Sequence, residues 1–109
     1  MVALSGGVSV QCIPYSPIGG EQLASSVADA LESQHACLMG HHGMVVVGET
    51  VEKAIWRAKE LENLCEQYWR ALQIREPALL PLDEMERIAA SSDDPYAALE
   101  EAAEQPLRR

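Results

Sequence analysis

Two adjacent histidines, His41 and His42, stand between Gly40 and Gly43 in the 109-residue sequence. A short apolar run lies on each side of this group. Neutral imidazole is a common metal ligand, and glycine permits a tight or closely approached backbone. The pattern indicates either part of a metal site or a histidine whose ring is satisfied inside the core.

The two histidines are not equivalent candidates for a metal ligand. Adjacent residues on an extended backbone point to opposite faces of a sheet, so they do not chelate the same ion. We expect His42, nearer the strand end at Gly43, to face an open cleft, and His41 to support it. A catalytic zinc ion takes three protein ligands. His35 is expected to be a solvated loop residue, so the pair supplies one ligand at most.

Composition excludes several classes of function. The net charge is -9, and residues 1–48 contain no Lys or Arg, which argues against nucleic-acid binding. No apolar run approaches the roughly 18 residues that span a bilayer, and no basic leader precedes one. The sequence therefore predicts a cytoplasmic protein without a membrane partner. The odd number of cysteines, with no Cys-x-x-Cys pair, indicates reduced core thiols at Cys12, Cys37 and Cys65.

Hydrophobic periodicity predicts an α/β fold in the first half of the chain. Residues 8–13 alternate like a half-buried strand that Pro14 and Pro17 end, and a helix of about 14 residues follows from Glu21. Two strands over 36–41 and 44–47 then flank the histidine motif. The second is β-branched and uninterrupted by polar residues, which predicts burial on both faces. Gly43 and Gly48 are expected to adopt positive φ or permit a close backbone approach.

Helices dominate the prediction for the second half. Thr50 is a suitable N-cap for a helix of about 25 residues with one apolar stripe and a solvated charged face that includes Arg57. Asp83, with Glu86 three residues on, predicts a capping box on a short helix. Residues 1–90 are expected to form part of a single domain, and residues 91–109 are expected to form a mobile acidic tail. The apolar opening without a cap or turn suggests that this domain part continues a larger domain.

Several sequence segments resemble the class II aldolase/adducin family, in particular its members that act on L-fuculose 1-phosphate. The resemblance rests on Leu38-Met39-Gly40-His41-His42-Gly43, and on residues 3–7, 13–15, 51–62 and 67–68. It implies the C-terminal half of a three-layer α/β/α domain with a central, mainly antiparallel sheet. It also implies that His42 is a zinc ligand, with the other ligands and a catalytic Glu outside this chain.

The same resemblance implies an enzymatic function. Zinc would stabilise charge that develops on substrate oxygens during aldol cleavage of L-fuculose 1-phosphate or a related ketose phosphate to dihydroxyacetone phosphate and an aldehyde. By position, Tyr96 resembles a tail tyrosine that reaches a neighbouring subunit's site. Ile18 stands where the related enzymes carry an aromatic residue near the aldehyde, so the resemblance leaves the substrate preference open. The family also implies a homo-oligomer, a tetramer in related enzymes. This chain alone is expected to be incomplete and inactive.

Three alternatives stay open at this point. A pentulose-phosphate 4-epimerase or a methylthioribulose-phosphate dehydratase would share the fold and the metal. A non-catalytic adducin-like assembly module would share only the fold. The histidine at position 42 favours chemistry, because an assembly module has no need of a metal ligand.

Overall fold

The computed structural model describes residues 9–90, and this part of the chain contains three strands and three helices. Their order is β1 (Gln11–Ile13), α1 (Glu21–Leu31), β2 (Ala36–Met39), β3 (Gly43–Val46), α2 (Val51–Leu72) and α3 (Leu82–Ala89). The predicted acidic tail and Tyr96 lie outside the described residues. Within residues 9–90, no helix is both long enough and apolar enough to cross a membrane.

The three strands form one sheet in the order β1-β2-β3. β1 pairs with β2 in parallel, and α1 provides the crossover that a parallel connection requires. β2 pairs with β3 in an antiparallel hairpin, with Met39 opposite Gly43 at the turn end. The described sheet is therefore mixed. The mainly antiparallel sheet and the three-layer arrangement stay predictions.

A small apolar core lies between α1 and the sheet. Ile13, Ala30 and Cys37 are buried, and the partly buried residues packed against them are Leu23, Val27, Leu31, Met39 and Val45. Because neighbouring strand residues point to opposite faces, the burial of Ile13 leaves Cys12 exposed. The prediction of three core thiols is wrong at Cys12 and right at Cys37. All three cysteines are free thiols.

The long helix α2 begins as predicted and packs against β3. Thr50 is its N-cap, and the Lys53 amide donates a hydrogen bond of 3.2 Å to the Thr50 hydroxyl. Leu61 is buried, but much of the predicted apolar stripe is exposed: Val51, Ile55, Tyr68, Trp69 and Leu72. Arg57, predicted to be solvated, is only 8% exposed, so its place on the charged face was wrong.

Two further predictions about local structure are wrong. β3 is half-buried, and Val47 after it is 40% exposed, because β3 lies at the edge of the described sheet. The short helix α3 is capped by Pro81, without a side-chain capping hydrogen bond, and Asp83 already lies inside its first turn. Proline suits this boundary because it has no N–H that the helix would need to satisfy.

Candidate metal site

Both histidines lie in the tight turn between β2 and β3. β2 ends at Met39, and the amide of His42 donates a hydrogen bond of 3.0 Å to the Met39 carbonyl. The prediction that His41 belongs to the strand is wrong, and so is the argument that the two rings are separated by the faces of a sheet. His41 has a φ of 63°, in the left-handed region. Histidine enters this region more readily than most residues, yet the conformation is uncommon enough to indicate a local constraint.

Gly40 allows this turn to lie against the end of β1. Its amide donates a hydrogen bond of 3.0 Å to the Ile13 carbonyl. A Cβ atom at position 40 would lie 3.0 Å from the backbone nitrogen of Tyr15 and 3.2 Å from the Ile13 oxygen. A side chain at this position would therefore push the histidine turn away from the segment that follows β1. The glycine that precedes the histidines is thus required by a close approach.

His42 is oriented by a main-chain carbonyl far away in sequence. Its Nε2 atom lies 2.8 Å from the carbonyl oxygen of Ser16, a buried residue. A carbonyl oxygen only accepts, so Nε2 carries the hydrogen and donates it. The lone pair then resides on Nδ1 of a largely exposed side chain. Metal-binding histidines commonly donate their second ring nitrogen to a carbonyl or carboxylate in this way, so His42 fits the role of a zinc ligand.

Tyr15 and Ser16, which sequence reasoning missed, complete the surroundings of the pair. The Tyr15 ring is stacked on His42, with centroids 5.4 Å apart and planes 24° apart. It also meets His41 edge to face, at 5.8 Å and 85°. The available signal was topological: β1 and β2 are parallel, so their carboxyl ends meet at one edge of the sheet. The residues after Ile13 therefore lie beside the residues after Met39.

The other predicted site residues occupy different positions around this edge. Ile18 is 84% exposed in the turn between β1 and α1. Gly43 begins β3 with a φ of 133°, a positive value as predicted. His35 is partly buried rather than solvated, and its Nδ1 lacks a hydrogen-bond partner among the described atoms. Residues 9–90 bring together no group of three or more His, Cys, Asp or Glu side chains that could hold a metal ion.

An ion pair fixes the loop that leads from β3 into α2. Nη1 of the buried Arg57 donates to the Val47 carbonyl at 3.1 Å and to the Glu49 carboxylate at 3.2 Å. A hydrogen bond from its own backbone N–H, and then the Arg57 guanidinium, hold the pKa of Glu49 below its ordinary value. Gly48 approaches α2 closely, as predicted, because a Cβ there would lie 2.7 Å from the Ala54 nitrogen. These contacts anchor the far end of β3 rather than the histidine turn.

Comparison with known proteins identifies close relatives. Residues 1–69 match the family model described as "Class II Aldolase and Adducin N-terminal domain". A 5-methylthioribulose-1-phosphate/5-deoxyribulose-1-phosphate aldolase of Rhodospirillum rubrum is 48% identical over 88 residues, which cover 81% of this chain and 40% of that protein. An L-fuculose phosphate aldolase of Escherichia coli K12 is 39% identical over 84 residues, or 77% of this chain and 39% of its own length.

A solved structure of an aldolase also has a fold similar to that of this chain. An L-fuculose 1-phosphate aldolase superposes with a TM-score of 0.76 at 31% identity, over 81% of this chain and 41% of that one. The chain thus spans about 40% of the length of the R. rubrum and E. coli relatives it matches. The family model covers more than half of the chain, and the histidine turn lies inside the matched region. The chain belongs to the class II aldolase and adducin family.

Proposed function

We propose that this chain takes part in zinc-dependent aldol cleavage of a ketose 1-phosphate, L-fuculose 1-phosphate or a related sugar, to dihydroxyacetone phosphate and an aldehyde. The observation that carries the proposal is the orientation of His42 by the Ser16 carbonyl, within a chain whose relatives named above are aldolases. An exposed imidazole with one nitrogen anchored and the other available is suited to bind a metal ion.

The residues of the turn have distinct roles in this proposal. His42 would hold zinc through Nδ1, while Nε2 keeps its proton and donates it in the hydrogen bond to the Ser16 carbonyl. His41 supports the site by adopting the left-handed conformation that closes the turn, and Gly43 continues it with positive φ. When bound, zinc stabilises the negative charge that develops on substrate oxygens as the carbon–carbon bond breaks.

The proposal assigns only part of the site to this chain. A catalytic zinc takes three protein ligands and keeps one position open. His42 contributes one nitrogen, and the described residues bring no cluster of three candidate ligands together. The remaining ligands and the acid/base are expected outside the described residues. We also propose that the chain forms a homo-oligomer. Light scattering that finds only monomer at micromolar concentration would contradict this.

The substrate is proposed as a ketose phosphate whose distal end is apolar. The relatives are named for L-fuculose phosphate and for 5-methylthio- or 5-deoxyribulose 1-phosphate. Ile18 is the residue of this chain proposed to meet that end, because it is exposed and directly precedes Gly19, which lines an open apolar groove. The groove has a volume of about 500 Å³ and is lined by Gly19, Gly20, Leu23, Ala24, Val27, Ala28 and Met39.

A chimera tests the proposed reaction. This chain would replace the matched 88-residue region of the R. rubrum aldolase, a substitution that 48% identity makes feasible. The zinc-loaded chimera should release dihydroxyacetone phosphate from L-fuculose 1-phosphate or 5-deoxyribulose 1-phosphate, and a chelator should abolish the release. His42→Gln should lower cleavage by more than the roughly 10–100-fold that loss of a residue orienting a metal ligand costs, because the proposed ligand itself is removed. His35→Gln is the matched control and should retain cleavage.

Several results would contradict the proposal. A folded chimera that binds zinc yet cleaves neither sugar phosphate would exclude aldol cleavage. Epimerised or dehydrated products would instead indicate the 4-epimerase or the dehydratase of the same fold, and a chimera without zinc would favour an assembly module. The chain alone should bind zinc weakly and show no turnover, so stoichiometric zinc with full turnover would contradict the partial site.

A further inference from the structure

Tyr15 contacts both histidines from an unusually exposed position. Its side chain is 58% exposed, yet its ring lies parallel to His42 and perpendicular to His41. An exposed tyrosine ordinarily has little to hold one rotamer, and each rotamer-rich side chain costs free energy when it is fixed. Here two aromatic contacts act on the same ring, each in an orientation that aromatic pairs favour. The position of the Tyr15 ring is therefore tied to the histidine turn.

The hydrogen bond to Ser16 does not by itself fix the plane of the His42 ring. It holds one atom, Nε2, near the carbonyl oxygen. The ring can still turn, because the χ2 torsion of histidine is broad and roughly two-fold. A large turn carries Nε2 away from the Ser16 carbonyl, and the proton is then no longer held on that nitrogen. The direction of the Nδ1 lone pair depends on the ring plane and not only on the position of Nε2. A second restraint is needed, and the parallel Tyr15 ring is in the position to provide it.

We propose that Tyr15 is a positioning residue that fixes the imidazole plane of His42, so that the Nδ1 lone pair keeps one direction. The inference rests on the proposed role of His42 as a zinc ligand. The absence of a Cβ at Gly40 makes the arrangement possible, because it brings the turn against the Tyr15 backbone. The edge contact with His41 holds the other side of the same turn. Tyr15 acts through His42 and does not touch the metal.

The test compares Tyr15→Leu with Tyr15→Phe in the 109-residue chain. Leucine removes the aromatic face, whereas phenylalanine keeps it and removes only the hydroxyl. Tyr68→Leu is the matched control, since Tyr68 is a comparably exposed tyrosine on α2, at 47%. The imidazole ¹⁵N shifts of His42 would be measured by NMR at pH 8.5, where a free imidazole is neutral. These shifts report which ring nitrogen carries the proton.

The expected result is specific to the His42 ring. The parent chain, Tyr15→Phe and Tyr68→Leu should all have the proton on Nε2, whereas Tyr15→Leu should give shifts averaged between the two tautomers. In the R. rubrum chimera, a Zn²⁺ titration followed on the His42 signals should give a dissociation constant about tenfold higher for Tyr15→Leu than for the parent, Tyr15→Phe and Tyr68→Leu, as for other residues that orient a metal ligand. Thermal unfolding checks that each variant folds. Should Tyr15→Leu fail to fold, Tyr15→Met offers a flexible side chain without an aromatic face.

Failure of the positioning role of Tyr15 can be distinguished from failure of the proposed metal role of His42. Unchanged His42 shifts in a folded Tyr15→Leu or Tyr15→Met chain would overturn the positioning role, as would the same change in Tyr68→Leu. The tautomer measurement needs neither metal nor substrate. A chimera that binds zinc while its His42 signals stay unaffected, with Tyr15→Leu still changing the tautomer in the 109-residue chain, would overturn the metal role of His42 and leave the orientation of its ring by Tyr15 intact.

Discussion

The left-handed conformation of His41 makes the stability of this turn depend on the residue at position 41. His41 has a φ of 63°, which an L-residue with a Cβ adopts at a cost of about 1–2 kcal/mol. Glycine avoids this cost but loses about 0.5–1 kcal/mol more conformational entropy on folding than alanine. The comparison of His41→Gly with His41→Ala isolates the backbone effect, because both variants lose the imidazole and its contact with Tyr15.

With the middle of each range, the difference of these terms favours glycine by roughly 0.7 kcal/mol. For a domain of this size, 1 kcal/mol corresponds to a change in Tm of roughly 4–8 °C. We therefore expect His41→Gly to unfold a few degrees above His41→Ala by thermal unfolding, and at a higher denaturant concentration in urea.

Glu32 provides the control for this order of stability. It is the C-cap of α1, with a right-handed helical φ of -59°. There Glu32→Gly should be less stable than Glu32→Ala, the reverse of the order at position 41. If His41→Ala equals or exceeds His41→Gly in stability, the left-handed conformation is not constraining the turn, and the strain assigned to His41 is wrong.

Three other changes test the described structure. Gly48→Ala places a methyl group 2.7 Å from a backbone nitrogen in α2, and should cost about 1–3 kcal/mol in urea unfolding. The pKa of Glu49 is lowered in the folded state, so its charge stabilises the fold above its ordinary pKa and this contribution is lost as pH falls through the lower value. Stability should therefore fall less on acidification in Glu49→Gln than in the parent chain. Burial raises the pKa of Cys37, so a thiol reagent should modify Cys12 rapidly and Cys37 only on unfolding.

Periodicity predicted the elements of this fold well where they bury an apolar side. The helix from Glu21, the strand beginning at Ala36 and the Thr50 cap are present within one to a few residues of the prediction. These features depend on residues close in sequence, which is the range over which periodicity and capping act.

Burial was predicted less well, because it depends on which elements pack together. Arg57 is buried since its guanidinium reaches the Val47 carbonyl ten residues back, a contact that a helical wheel does not contain. Cys12 is exposed because Ile13 faces α1, and alternation alone fixes the period of a strand but not which half of its residues points inward. The apolar residues of α2 are exposed for the same reason, because periodicity identifies one face of a helix but not the element that packs against it.

The histidine motif was found from sequence, but its geometry was not. The prediction placed His41 at the end of an extended strand and His42 directly after it, whereas both lie in a turn closed by the Met39 carbonyl. The atom that orients His42 belongs to Ser16, 26 residues earlier in the chain. Only the parallel pairing of β1 with β2 brings these segments to one edge. Local patterns could therefore identify the ligand candidate but not the residues that hold it.

The turn combines an unfavourable backbone with favourable side-chain contacts, and their magnitudes are similar. The left-handed His41 costs about 1–2 kcal/mol, while an aromatic pair contributes about 0.5–1.5 kcal/mol beyond its buried area. Tyr15 makes two such contacts, one with each histidine, and their sum of about 1–3 kcal/mol is comparable with the backbone cost. The same ring that compensates His41 also lies parallel to the imidazole of His42. The strained residue and the proposed ligand thus both contact one side chain.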